Sequence, residues 1–580
     1  MKQTREKMNK GAVLGIIAVI VSVMLLASMP MATAKLYGDA NGDGVIDEDD
    51  ITHVEQIIAG EKTENELADV NQDGEIDVLD IAYIELIILG TAHSIGGTLV
   101  VAVYQSSWTP KHFEEAFGIT PYGTNIYEPL VSLDNDMNLQ PWLAKSWERM
   151  DDDTWRFYLR EDVKFHDGTP FNAKAAKFSF ERMIDSIPWT ARLAIDRITA
   201  VDDYTIDITN KRPFAMFPAY AAHSWTVMAS QSVEDGEPCG TGPFRFEKLD
   251  KVKDELTVVK NREYRGKRPY LDKVIFRNIP DAQTRVLALE AGEVDLIQEV
   301  QRSEVSILEA NPDITVSRAL MPGVCILGFN RQNEALSDIR VRKAICHGID
   351  KESIVENVLS GVGQPAKTII SPIISWSAHD ELEGHPYNTA KTKELLSDAG
   401  WKDTDGDGYL DKGGKTLELN LIFDARSDPD NEAMAEAIQG QLRDVGIKVD
   451  LERVESMQTP IKEGKWDMFI GSIGVYCGDA SMILHAWFHS EGFYGVGVKQ
   501  LFPISDYVEK LLEEGQATAD ETVYSQKFRE VQRIAIDEEV VLDPIFYPVR
   551  VCAAKNSVKG FRPHPINGWS ITLENTYIAS

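Results

Sequence analysis

Hydrophobic and polar positions alternate strictly from Trp155 to Arg160: Trp155, Phe157 and Leu159 are separated by Arg156, Tyr158 and Arg160. Successive side chains on a strand point to opposite faces, so this pattern predicts a strand with one buried face. GTLVVAVY at 97–104 predicts another strand. NAKAAKFSFERMID predicts a helix over 172–185, begun by Asn172, a residue type that caps well. Residues 338–361 predict two helices, the second capped near Asp350, and 435–454 predict a helix, a glycine stop and a strand. Short apolar strands and amphipathic helices keep alternating from 96 to 580 without a low-complexity linker. That alternation predicts α/β architecture. HDGTP at 166–170 carries Asp-Gly and Thr-Pro pairs and predicts a turn. His166 is expected to hold a fixed hydrogen bond beside it rather than to act as a base or ligand.

The N-terminus breaks the alternation. Lys2, Arg5, Lys7 and Lys10 stand against one acid, Glu6, and an uncharged, mostly apolar run follows from Gly11 to Met29. Ala32-Thr33-Ala34 then places small residues where a signal peptidase reads them. Residues 1–34 are therefore expected to be a signal peptide or, left uncleaved, a membrane anchor. No cysteine follows the run, so a lipoprotein-type lipid anchor is not available. Everything beyond it is expected outside the cytoplasm.

Charge changes the picture next. The 580 residues carry 59 Lys and Arg against 92 Asp and Glu, a formal net charge of −33. Nucleic acid would be repelled by most of such a surface, so it is excluded as a partner. Between Gly38 and Gly90, 16 acids face a single lysine, Lys62, and they are regularly spaced. From Asp39, oxygen side chains fall at loop positions 1, 3, 5, 9 and 12: Asp39, Asn41, Asp43, Asp47 and Asp50. Gly44 sits at position 6, the Val45 carbonyl at 7 and an inward Ile46 at 8. The pattern returns thirty residues later with Asp69, Asn71, Asp73, Asp77 and Asp80, Gly74, the Glu75 carbonyl and Ile76. A hard cation taking six to eight oxygens needs this spacing, so both loops are expected to hold structural Ca2+. Each loop is expected to run into a short helix, Ile51–Gly60 and Ile81–Gly90. A third loop offers Asp403, Asp405, Asp407 and Asp411, with the Tyr409 carbonyl, but Gly414 stands at position 12.

The doubled loop resembles a dockerin, the calcium module that docks onto cohesin domains, over about 37–90. The resemblance implies a small all-α module. Its cohesin contacts would fall at Glu48 and Asp49 in one copy and at Val78 and Leu79 in the other. The copies differ there, which argues against a symmetric two-way binding mode.

A second resemblance spans nearly all of 96–580. PWLAKSWERMDDDTWRFYLREDVKFHDGTPFNA (141–173) resembles the signature of family 5 solute-binding proteins, the receptors of peptide and nickel ABC importers. GTGPFRF (240–246), LDKVIFRNIPDAQTRVLALEAGEVDLI (271–297), LGFN (327–330), DIRVRKAICHGIDK (338–351), PYNTAKTKELLSDAGW (386–401) and WDMFIGSIGVYCGDAS (466–481) follow in the family's order. The resemblance implies a two-lobed α/β fold of the periplasmic-binding-protein type (class II), with an extra subdomain in lobe one. Lobe one would comprise about 96–324 and 536–580, and lobe two about 325–535. The chain would cross between them near 322–330 and 535–548.

In peptide-binding members an Asp of the second lobe pairs with the ligand's α-amine; the matching residue is Asp479, followed by Ala480 where the family has Pro. Tyr104 and Trp108 would line the cleft from lobe one, and Tyr476 would form a wall. His489 lies ten residues past Asp479, near where nickel-binding members carry a coordinating histidine. His485 and His489 share a face if helical, but Ala486 stands where a zincin needs Glu, so a protease reading fails. P-loop, G-x-S-x-G and G-x-G-x-x-G motifs are absent, and Cys239, Cys325, Cys346, Cys477 and Cys552 are scattered. The expected function is the extracytoplasmic binding component of an ABC importer, not an enzyme, with an ABC permease, a peptide and a cohesin-type domain as partners. A nickel or nickel-chelate receptor and a dockerin-bearing secreted hydrolase remain as alternatives.

Overall fold

The computed structural model describes residues 38–43, 45–65, 67–70, 76, 78–88, 96–104, 123–186, 193–223, 225–232, 237–424, 428–475, 477–490, 492, 502–566 and 572–579. Residues 1–34, where a signal peptide or anchor is expected, therefore lie outside the described residues. So do Trp108, Tyr476, Asn71, Asp73, Glu75 and Asp77.

Two helices form the N-terminal module, α1 (Glu48–Ile58) and α2 (Val78–Ile88). They start three residues before the expected positions. For α1 the cause is a reciprocal cap: the Asp47 carboxylate accepts from the Asp49 amide, and Asp50 accepts from the Asp47 amide. The module's core is small, with Ala40, Val54, Ile57, Ala68, Val70 and Ile84 at its centre and the two loop isoleucines, Ile46 and Ile76, packed against it.

The large unit holds three principal sheets. Its strands in chain order begin with β1 (Thr98–Val103), β2 (Ala144–Arg149), β3 (Thr154–Leu159), β4 (Ile195–Ala200) and β5 (Thr205–Asn210). They continue with β6 (Phe244–Asp250), β7 (Glu255–Lys260), β8 (Lys273–Asn278), β9 (Leu296–Ile297), β10 (Ile314–Leu320) and β11 (Val324–Phe329). The remaining strands of these sheets are β12 (Gln364–Pro365), β13 (Glu418–Phe423), β14 (Lys448–Arg453), β15 (Met468–Ile473), β16 (Leu542–Tyr547) and β17 (Val549–Lys555). Helices used below are α3 (Ala173–Ser186), α4 (Ile339–Gly348), α5 (Asn431–Arg443), α6 (Ser481–Phe488), α7 (Asp506–Ala517) and α8 (Glu521–Arg533).

Sheet one has the order β6-β7-β8-β1-β9-β17-β10, and sheet two β12-β16-β11-β15-β13-β14. A four-stranded sheet, β2-β3-β5-β4, with α3 beside it, forms the extra subdomain. β3 buries Trp155, Phe157 and Leu159 as its alternation requires. Asn172 caps α3 by accepting from the amides of Lys174 and Ala175.

The chain passes between the large sheets at 321–323 and again at Pro548. The two crossings touch: the Met321 amide donates to the Pro548 carbonyl at 2.9 Å. The expected return to lobe one at 536 is too early. β16 pairs with β11 inside sheet two, so the second lobe's sheet runs to Tyr547. One continuous apolar cluster includes Leu130 and Leu133 from one lobe and Ala480, Met482 and Ile483 from the other, so the lobes are closed on each other.

His166 is half-buried in the turn, its Nε2 3.0 Å from the Gly242 carbonyl and its Nδ1 accepting from the Gly240 amide. Desolvation depresses its pKa to about 4, so it is neutral. The glycines of GTGPF permit a close approach: a Cβ on Gly240 would lie 2.1 Å from the Ile126 carbonyl oxygen, and one on Gly242 2.6 Å from that of Asn125.

Candidate functional site

Between the lobes the decisive segment follows β15. The Gly478 amide donates to the Ala219 carbonyl of lobe one at 3.2 Å. A Cβ on Gly478 would come within 2.8 Å of Leu133 and 3.1 Å of Leu139, so glycine lets lobe two press against lobe one here. The next residue, Asp479, is fully buried. Its Oδ1 accepts from the Ser481 amide at 2.9 Å and from the Tyr524 hydroxyl of α8; its Oδ2 accepts from the Ser481 hydroxyl at 2.6 Å. Desolvation dominates and raises the carboxyl's pKa, while these hydrogen bonds pull it down. Among the described residues no basic side chain lies within ion-pair distance of it. Trp376 packs edge-on against the Tyr524 ring at 5.6 Å and holds it in place.

His485 and His489 share a face as their spacing predicts, with rings stacked at 4.2 Å. His489 closes α6, and its Nε2 stands 3.5 Å from both Glu509 and Glu513, one turn apart on α7. Tyr104 follows β1 and is more than half exposed.

Ser481, Tyr524, Glu509 and Glu513 were not singled out by the sequence. Only the one-turn spacing of the two glutamates on an amphipathic helix could have drawn notice. A cavity of about 460 Å³ in lobe one was not foreseen either. Glu128 forms its floor, held by the Tyr264 hydroxyl at 2.8 Å and by Arg265 at 3.1 Å, and the Arg265 guanidinium lies over Trp142.

In the N-terminal module the first loop is held by its own oxygen side chains. Asp39 Oδ1 accepts from the amides of Gly42 and Asp43, Asn41 Oδ1 from Asp43, and Asp43 Oδ1 from Val45. Asp50 is fully buried and accepts from the amides of Asn41 and Asp47. Burial raises its pKa, and the charges of Asp39 and Asp47 raise it further. The Asp39 and Asp47 carboxylates bear on the buried Asp50, and this all-oxygen donor set fits a divalent oxygen-seeking cation. Asp69 and Asp80 occupy the matching ends of the second loop, where Asp80 is buried and accepts from the Val70 amide at 2.7 Å. In the third loop the carboxylates of Asp403, Asp405 and Asp407 converge on the surface. Gly406 and Gly408 make its turns with positive φ, and Asp411 binds Thr404. The Tyr409 amide donates to Asp407.

The family model for bacterial extracellular solute-binding proteins, family 5, matches residues 138–495. The chain belongs to that family. A second model, dockerin type I domain, matches residues 37–89. Among family 5 relatives, the nickel-binding periplasmic protein of Escherichia coli K12 is 29% identical over 468 residues, 76% of this chain and 87% of the relative. The oligopeptide-binding protein AppA of Bacillus subtilis is 28% identical, over 81% of this chain and 90% of AppA. Among solved structures, a nickel ABC transporter protein from Bacillus halodurans superposes with a TM-score of 0.73 at 26% identity, covering 83% of this chain and all of that one. Helicobacter pylori DppA in complex with the peptide STSA gives 0.67 at 26% identity, covering 84% of this chain and 99% of DppA. Family 5 members of this kind are two-lobed α/β binding proteins, which accounts for the two large sheets and paired crossings. Among the described residues no helix is long and apolar enough to cross a membrane.

Proposed function

We propose that this chain is the extracytoplasmic receptor of an ABC importer, that it captures peptides through a free α-amine, and that a calcium-held module tethers it to a cohesin-type partner. The observation carrying the peptide reading is Asp479. A carboxylate buried between lobes with hydrogen-bond donors but no cation is costly until a positive charge arrives. A peptide's terminal ammonium supplies that charge, and lobe closure then desolvates the pair. Tyr104, Trp108 and Tyr476 would wall the peptide without demanding one side chain. The receptor works by opening and closing and then delivers its ligand to a permease, with no bond made or broken.

Calorimetry with mixed short peptides tests the reading. Asp479→Ala should weaken binding at least tenfold, and N-acetylation of the peptide should weaken binding to the parent protein equally. The alternative ligand is a nickel chelate, favoured by His489 and its two glutamates. If Asp479→Ala leaves peptide affinity unchanged while His489→Ala abolishes binding of nickel with free histidine, the ligand is nickel. Turnover of peptide or oligosaccharide by the pure protein, abolished by a cleft mutation, would instead establish a hydrolase.

For the module, Ca2+ would be held by Asp39, Asn41, Asp43, Asp47, Asp50 and the Val45 carbonyl. The second ion would sit among Asp69, Asn71, Asp73, Asp77, Asp80 and the Glu75 carbonyl. Asp403, Asp405, Asp407 and Asp411, with the Tyr409 carbonyl, form a weaker third loop. Glu48 and Asp49 are exposed, and Val78 is an exposed apolar side chain, which suits a docking surface that differs between the two copies. Cohesin binding should fail in the Asp39→Ala, Asp69→Ala double variant.

A further inference from the structure

Three metal-ligating side chains from distant parts of the chain meet inside lobe two. Cys346 lies near the end of α4, His385 precedes the helix that starts at Thr389, and Asp543 lies on β16. One donor atom from each lies within 4.8 Å of the others. Cys346 and Asp543 are fully buried and His385 is 7% exposed. Two of their polar atoms lack a hydrogen-bond partner: His385 Nδ1 and Asp543 Oδ2. The other carboxylate oxygen is taken, since Lys351 donates to Asp543 Oδ1 at 2.7 Å and to the Ala366 carbonyl at 3.3 Å. His347 packs edge-on against His385 at 5.2 Å and anchors on the Pro386 carbonyl, which fixes the segment carrying His385.

Buried polar atoms are almost always partnered, and two unpartnered atoms in one three-residue cluster call for a ligand. The donors are one sulfur, one imidazole nitrogen and one carboxylate oxygen. Calcium takes oxygens alone, so this is not a fourth calcium loop. Zinc and its neighbours in the first transition row take this mixture, commonly with four ligands.

We propose that Cys346, His385 and Asp543 bind a divalent transition-metal ion of the zinc class that pins α4 and the 366–388 segment to β16. The Cys346 thiol gives its proton to solvent as sulfur bonds to the metal, and no oxidation state changes. Because all three residues are buried, the ion enters as the chain folds, so its role is structural. β16 leads directly into the Pro548 crossing, so the ion stiffens the lobe-two side of the hinge.

The test uses the full chain, unfolded in chelator and refolded with one equivalent of Co2+ in excess Ca2+, which keeps the oxygen loops filled. A sulfur-to-cobalt charge-transfer band at one cobalt per chain is expected, bleached by added Zn2+. Cys346→Ser should lack the band, and His385→Gln, which keeps the thiol, should bind cobalt at least tenfold more weakly. If Cys346→Ser does not refold, the His385→Gln affinity decides. A natively folded chain with no band overturns the proposal. A band that survives Cys346→Ser, or an unchanged affinity in His385→Gln, overturns it as well.

Discussion

Single residues set how this protein responds to acid. His564 is buried and His166 half-buried, and desolvation depresses each to about 4 from an ordinary 6.5. The unfolded chain takes up a proton near pH 6.5 while the folded one resists until about 4. Stability is therefore intact above pH 6.5 and drains away between 6.5 and 4, by about 3 kcal/mol for each such histidine. Urea unfolding at pH 7 and pH 4.5 should show this loss, and His166→Gln should make it smaller. Gly240 works through space rather than charge. The backbone oxygen 2.1 Å from its missing Cβ cannot yield as a side chain can. Gly240→Ala should cost about 3 kcal/mol in the same assay. The carboxylate at Asp479 was legible in the sequence as a residue but not as an environment. Ser481 is adjacent, yet Tyr524 arrives from a helix 45 residues away, and no local pattern announces that meeting.

At the scale of elements, periodicity was a good guide where a segment's own pattern decides its shape. β3 alternates because its residues do, and α3 begins at Asn172 because that side chain satisfies free amides. α5 ends before Gly446, whose φ of +88° turns the chain into β14. Legibility failed where pairing is non-local: nothing in Leu542–Tyr547 says that its neighbour is Val324–Phe329 rather than a strand of the other lobe. The start of α1 was missed for a different reason, since Asp47 serves at once as a loop oxygen and as a helix cap. That double use ties α1 to its loop. Chelating calcium from the full chain should lower the first of two calorimetric transitions, the module's, and leave the second unchanged, because only the module has so small a core. A single transition unaffected by chelator would count against calcium there.

For the whole molecule, the crossings at 321–323 and Pro548 are bonded to each other, so any opening of the lobes is expected to turn about one paired axis. Scattering should record a compaction when peptide is added to ligand-free protein, and a smaller one for Asp479→Ala at the same peptide concentration. The strand order has a consequence of another kind. β17 lies inside sheet one and, among the described residues, is the only neighbour of β10. Sheet two, by contrast, is drawn entirely from 324–547. A chain delivered N-terminus first can therefore close its second lobe while the first still has an open strand edge, the kind of edge that invites mispairing. Lobe one becomes whole only when Val549–Lys555 arrives and slots between β9 and β10. A chain ending at Tyr547 should yield a protease-resistant core from lobe two and a digested lobe one. The order of emergence thus makes Val549–Lys555 the strand that locks lobe one, and the cleft between the lobes cannot be complete before that strand has emerged.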